Sequence, residues 1–192
     1  MEADWEIEVG GGAPVIEVLW PSFVDLRLHP ERAAQFSEAI EFPALAEALV
    51  AMNAPGSPVW TSKCDFWSIV DPAALDPDEL DAPQARAAFG LACYIDVLQR
   101  AGWQWPSPAE AATACQDLIN NLRLVPLKCC RVDLVVREVI DASESAAETG
   151  KIDLGTTAYL TACGSSRFEA ARTLQAALRA VTRVLSAQST LE

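Results

Sequence analysis

The chain has 192 residues, of which 51% are hydrophobic and 21% charged, and its formal net charge is −13. This composition excludes intrinsic disorder and predicts one globular domain over residues 1–192, large enough to bury a core without disulfide bonds. A surplus of acids repels phosphate backbones, so we expect no nucleic-acid partner.

The N-terminal segment has neither the basic nor the apolar region of a secretory signal. The most apolar window, 87–95, is too short to cross a bilayer. These features predict a cytoplasmic protein without a membrane partner. The six cysteines include no C-x-x-C pair, and one histidine, His29, cannot complete a zinc set. We therefore expect free thiols, no metal and no cofactor.

The first third of the chain predicts strands followed by two helices. Trp5, Ile7 and Val9 alternate with acidic residues, which is the period of a half-buried strand. Strand-like segments at 15–20 and 23–28 extend this strand into a three-stranded meander or a bent hairpin. Pro30 and Pro43 then suit the first turns of two helices, and His29 is placed to cap the first of them.

The middle of the chain predicts a strand and a central helix. Residues 59–70 alternate in polarity, and the even positions, which include Trp60, form the better core face. Residues 83–100 are apolar nearly all round, which predicts a buried helix.

The last third predicts a helix, two strands and a final helix. Ser107–Glu110 and Ser166–Glu169 both have the pattern of capping boxes, which begin helices. Between these helices, 128–140 and 152–163 have strand alternation and are joined by a small acidic connector, 141–150. In the final helix one apolar stripe recurs at helical spacing: Phe168, Ala171, Leu174, Leu178, Val181 and Leu185.

This order of elements predicts an α+β fold, with an antiparallel or mixed sheet of about five to six strands and helices mainly on one face. Apolar residues of each strand would lie under the helices, and polar residues would lie on the opposite face. That face is the candidate site for a ligand or partner, and it collects Asp25, Arg27, Lys63, Asp65, Trp67, Arg131, Asp133 and Tyr159.

Charges of both signs beside aromatic rings suit the recognition of a polar small molecule or a peptide. The same face is also typical of an ordinary solvated sheet surface carrying cross-strand ion pairs. If the strands of Asp65 and Asp133 were neighbours, the two carboxylates would bind a divalent cation or act as acid and base. The cations Lys63 and Arg131 argue instead for ion pairs. Joint exposure of Trp67, Trp103 and Trp105 would favour a protein interface.

Two functions from different classes are consistent with these residues. One is a non-catalytic binding, accessory or chaperone-like protein that uses the polar sheet face, for which a second copy of the chain is one partner. The alternative is a small enzyme that acts on a polar small molecule through strand-borne Asp, Lys and Arg residues. The sequence has no paired nucleophile and base and no phosphate-binding loop, which favours the binding protein.

Overall fold

A computed structural model describes residues 1–20, 22–100, 104–141 and 153–187. Within them the chain forms six strands and four α-helices. The strands are β1 (Glu2–Glu8), β2 (Ile16–Val18), β3 (Val59–Ile69), β4 (Phe89–Gln99), β5 (Cys130–Asp141) and β6 (Asp153–Gly164). The α-helices are α1 (Ser37–Glu41), α2 (Pro43–Asn53), α3 (Pro108–Arg123) and α4 (Arg167–Ser186).

All six strands belong to one mixed sheet in the order β1-β5-β6-β4-β3, with β2 beside the far end of β5. β5, β6, β4 and β3 are antiparallel neighbours, whereas β1 and β2 both run parallel to β5. The sheet and helices confirm the predicted α+β class. The predicted N-terminal meander is wrong, because β1 and β2 pair with β5 rather than with each other, and 23–28 forms turns instead of a strand.

The helices cover one face of the sheet. Leu49 of α2, Ile119 of α3 and Leu178 of α4 join one buried cluster with Leu134 of β5 and Leu160 of β6, and all five are at most 1% exposed. Removal of this much apolar surface from water is the main stabilising contribution to the fold. Ile95 and Cys93 of the central strand β4 lie in the same cluster. The apolar side predicted for the strands is therefore the helix side.

Both predicted capping boxes begin α-helices. Ser107 Oγ accepts a hydrogen bond from the Glu110 amide at 3.3 Å and donates one to the Glu110 carboxylate at 2.8 Å. Ser166 Oγ likewise accepts from the Glu169 amide at 3.2 Å. Each bond satisfies an amide that has no partner within its helix. Phe168 departs from the predicted stripe of α4, since it is 72% exposed.

His29 precedes a 3-10 helix, Pro30–Gln35, rather than the predicted α-helix. Its side chain makes no capping hydrogen bond, and its Nδ1 atom lies 3.6 Å from the Glu31 carboxylate. The predicted capping role is therefore wrong. The predicted connector between β5 and β6 lies outside the described residues from position 142 onward.

The segment predicted as a central helix, 83–100, contains β4 instead. Residues 89–99 pair with β3 on one side and β6 on the other, and only Gln84–Arg86 is helical, as one 3-10 turn. The packing around β4 explains why position 90 is a glycine. A Cβ atom at this position would lie 2.7 Å from the side chain of Leu75, which crosses the strand there.

An irregularity in β3 exchanges the faces of its two halves. The register with β4 shifts between Thr61 and Cys64. Before the shift, Thr61 points toward α2, where the Asn53 carboxamide accepts from its amide at 3.1 Å and donates to its hydroxyl at 2.6 Å. After it, Cys64 and Phe66 pack in the core. Trp60 consequently lies on the face away from the helices, where it packs half-buried against Leu98, so the side predicted for it is wrong.

None of the described helices is both long and apolar enough to cross a membrane.

Candidate functional site

The sheet face away from the helices is bounded at both ends by apolar clusters. At one end, β2 places Ile16 and Val18 against Leu98, Trp60 and Val139. Ser62 Oγ of β3 donates to the Glu17 carbonyl at 2.7 Å, so the sheet curls until β2 reaches the opposite edge strand. We call this the β2 cluster.

At the other end, the segment between β3 and β4 folds back over the sheet. Its Leu75, Leu80 and Ala87 pack with Cys129 and Cys163 in a second cluster, which we call the loop cluster. Glu79 lies close enough to interact electrostatically with Arg131 and Asp133 on the sheet. Between the two clusters the face is polar, and this polar strip crosses the strands.

Three cross-strand rows form the floor of a polar groove between the clusters. In order from β1 to β3, the first row is Glu2, Arg131, Thr161, Ala92 and Trp67; the second is Asp4, Asp133, Tyr159, Tyr94 and Asp65. The third is Glu6, Val135, Thr157 and Asp96, and it ends at the bulge that carries Lys63. We call the surface formed by these three rows the polar groove.

The middle row carries two tyrosines between carboxylates. The rings of Tyr94 and Tyr159 are 5.8 Å apart, and Trp67 lies 6.4 Å from Tyr94. Asp4 and Asp65 are exposed at the two ends of the row. Burial, with help from nearby acids, raises the pKa of Tyr94 to about 12, so its phenol is neutral at physiological pH and able to donate a hydrogen bond.

A charged network links Glu8 at the end of β1 to the second and third rows of the groove. Arg137 of β5 donates to Glu8 at 2.8 Å, to the Tyr159 hydroxyl at 3.0 Å and to the Thr157 hydroxyl at 3.2 Å. Thr157 in turn donates to Asp96 at 2.7 Å. Asp96 is only 6% exposed, and burial raises its pKa although Thr157, Arg137 and Lys63 oppose that shift. Buried charges need such partners, because desolvation is otherwise costly.

The other cations of the groove are also paired within the chain. Arg131 Nε contacts both carboxylate oxygens of Asp133 at 2.8 and 2.9 Å. Burial raises the pKa of Asp133, against the opposing effect of Arg131. Lys63 Nζ contacts Glu17 at 2.8 Å and lies over the Trp20 ring at 4.9 Å. The cations of the groove are therefore engaged in ion pairs within the chain.

The structure brings together six of the eight sequence-predicted site residues around this groove: Lys63, Asp65, Trp67, Arg131, Asp133 and Tyr159. Asp25 and Arg27 are not strand residues. They pair with each other at 2.7 Å, which holds the pKa of Asp25 below its ordinary value, and Arg27 lies 4.0 Å over the Trp60 ring. Both belong to the segment that borders the β2 cluster.

The suggested pairing of Asp65 with Asp133 is wrong, because β4 and β6 lie between their strands. Measured along the sheet, three strand spacings, about 14 Å, separate their backbones, so the two carboxylates do not face each other on neighbouring strands. The described residues contain no cluster of three metal-binding side chains. Trp105 packs with the cluster of Ala111 under α3, so it does not share an exposed surface with Trp67, and Trp103 lies outside the described residues.

Sequence reasoning missed Tyr94 and Asp96, because both lie in the segment interpreted as a helix. It also missed the β1 acids, which alternation along β1 places beside the β5 residues of the groove. One signal that could have found the site was Asp96 itself, a charged residue inside a run of buried apolar positions. On the β1 side, Asp4 and Glu6 line a cleft of about 380 Å³ together with Arg131, Asp133 and Tyr159, and this volume is in the size range of small-ligand sites.

Protein-family models, curated proteins and solved structures were each compared with this chain, and none matches it.

Proposed function

We propose that this protein is a non-catalytic binding protein, accessory or chaperone-like in role, and that it holds its partner in the polar groove. The observation that carries the proposal is the middle row, in which Asp133, Tyr159, Tyr94 and Asp65 stand in direct register on four neighbouring strands. Side chains on paired strands are held more precisely than side chains on loops, and such rigidity lowers the entropic cost of binding.

The two apolar clusters form the walls of the groove, and they favour a binding role over that of an ordinary solvated sheet face. A sheet face that only meets water needs no cover at its ends, whereas here two apolar clusters leave a polar strip between them. Within that strip Trp67 is 39% exposed and the two tyrosines are partly accessible. Partly exposed aromatic residues are enriched where proteins bind partners.

The alternative is a small enzyme that acts on a polar molecule. It is favoured by one observation, the raised pKa values of Asp96 and Asp133, since perturbed carboxyls are common in active sites. Against it, both carboxyls are engaged within the chain: Asp96 accepts from Thr157, and Asp133 is paired with Arg131. The proposal places this binding activity in the cytoplasm, which the six free thiols support.

A thermal-shift screen with metabolites and short peptides tests the proposal. It is run on the wild type, on Asp65→Ala and Arg131→Ala in the groove, and on Asp117→Ala, an exposed acid of α3 outside the groove. A ligand that stabilises the wild type and Asp117→Ala but neither groove variant supports binding in the groove. Stabilisation that is equal in all four proteins would contradict it, and chemical turnover of a hit would favour the enzyme instead.

A further inference from the structure

We infer that the occupant of the polar groove is a basic segment of another protein, bound in an extended conformation across the strands. This inference rests on the proposed binding function and specifies its partner. It follows from three features of the groove: an uncompensated negative charge, aromatic rings between the carboxylates, and a length that matches the repeat of an extended chain.

The charge of the groove is negative after every internal ion pair has been counted. Arg131 is paired with Asp133, Lys63 with Glu17 and Arg137 with Glu8. Among the described residues, no ion pair engages Glu2, Glu6 or Asp65, and the nearest cation to Asp4 is Arg123 at 4.0 Å. A cationic partner would be attracted to this surface and oriented by it.

The aromatic rings specify what kind of cation fits. Tyr159 and Tyr94 lie between the carboxylates of Asp133 and Asp65 in the middle row. Lysine and arginine side chains combine an apolar stem, which packs on a ring, with a charged end that a carboxylate binds. A bare metal ion would leave the rings unused, and the described residues do not cluster its ligands here.

The length of the row distinguishes an extended polypeptide from a compact ligand. Measured along the sheet, the full row from Asp4 to Asp65 covers four strand spacings, about 19 Å. In an extended chain, side chains on one side repeat about every 6.7 Å, so residues i and i+6 are about 20 Å apart. Basic residues at i and i+6 would therefore reach Asp4 and Asp65, the acids at the two ends of the row, with residues i+2 and i+4 near the tyrosines.

The walls are consistent with the same occupant. The β2 cluster and the loop cluster leave three rows between them, a strip about 13 Å wide, which admits one extended chain. A second copy of this chain is a poor occupant through the same surface, because two acidic grooves would repel each other.

The experiment uses the full chain and three capped, fluorescently labelled heptapeptides, observed by fluorescence anisotropy. Each has alanine at even positions and either lysine, glutamine or glutamate at odd positions. We expect the lysine peptide to bind and to be weakened by salt, and the other two not to bind. The probes share length and backbone, so the comparison isolates charge.

Matched variants then locate the binding. Asp65→Asn and Asp4→Asn are expected to weaken the lysine peptide by roughly twofold to fivefold each, the range of an exposed ion pair. Asp117→Asn removes the same charge from the exposed surface of α3 and should leave binding unchanged. Melting temperatures of all three variants check that the fold is kept.

Four results would overturn the inference. Equal losses in Asp65→Asn, Asp4→Asn and Asp117→Asn would mean attraction by net charge alone. Spermine binding as tightly as the lysine peptide would mean that a free polyamine is the occupant. Binding of the glutamate or glutamine peptide that Tyr94→Leu abolishes would reject the basic partner while leaving the proposed binding function standing. Absence of binding by all three peptides would reject an extended-peptide occupant, whereas the metabolite screen would still test the groove independently.

Discussion

The two faces of the sheet are made from alternating residues of the same strands, yet they are built on different principles. Leu160 and Tyr159 are neighbours in β6. Leu160 is fully buried under the helices, whereas Tyr159 lies in the groove and accepts a hydrogen bond from Arg137 at 3.0 Å. One face is held by apolar packing, and the other by individual polar contacts with open positions between them. Because the strand period places core residues and groove residues on opposite sides, each set can be altered without the other.

Truncation of a side chain on the sheet face covered by the helices should have the largest effect on stability. Leu160→Ala removes a fully buried side chain and is expected to lower the free energy of unfolding by about 2–5 kcal/mol. Tyr159→Phe in the groove removes one hydroxyl acceptor and is expected to cost only about 0.5–1.5 kcal/mol. Urea unfolding followed by circular dichroism measures both. Equal losses would break the proposed separation of the two faces.

Substitution at the bulge of β3, where side chains change from one face to the other, should cause the next largest loss of stability. Asn53→Ala leaves the buried amide and hydroxyl of Thr61 without their partner, which is expected to cost about 1–3 kcal/mol. Asn120→Ala, on the exposed side of α3, is the matched control and should change stability by less than about 0.5 kcal/mol. Hydrogen exchange at the Thr61 amide gives a local readout. Unchanged protection there would show that the bulge holds its shape without Asn53.

The buried carboxyl of the groove floor should respond to pH. Burial raises the pKa of Asp96, so the folded protein binds that proton more tightly than the unfolded chain does. Ionised Asp96 therefore reduces stability above its raised pKa. Asp96→Asn, which is uncharged, should raise the melting temperature at neutral pH, and the gain should begin to shrink as the pH falls through that pKa and vanish below the ordinary aspartate pKa, because the wild type becomes protonated. Melting curves across acidic and neutral pH measure this; a gain independent of pH would mean that desolvation of the charge is not its origin.

The exposed acids of the groove should have the smallest effect on stability. Asp65→Asn is expected to change the free energy of unfolding by less than about 0.5 kcal/mol, because this side chain is exposed and accepts from the adjacent Phe66 amide at 2.7 Å, a purely local contact. Chemical denaturation is the measurement. A loss comparable to that of Leu160→Ala would mean that the groove is structural.

Several features were determined by the sequence alone, because they depend on local periodicity or local hydrogen bonds. Alternation along β5 and β6 separates Arg131, Asp133 and Tyr159 from the core residues between them, whichever strands are neighbours. The capping boxes at Ser107 and Ser166 act within one helical turn, so they mark the starts of α3 and α4 without tertiary information.

Other features were decided only by the tertiary structure. Residues 89–99 are mostly apolar because β4 is a central strand, with the core on one face and, on the other, Leu98 in the β2 cluster beside the groove residues Tyr94 and Asp96. Such a run has no clear period that distinguishes it from a buried helix. The parallel pairing of β1 with β5 joins residues more than a hundred positions apart, so no local sequence pattern predicts it. The groove depends on local periodicity and on tertiary structure. Periodicity determined the side of the sheet on which each polar residue lies, and long-range strand pairing determined which of these residues became neighbours.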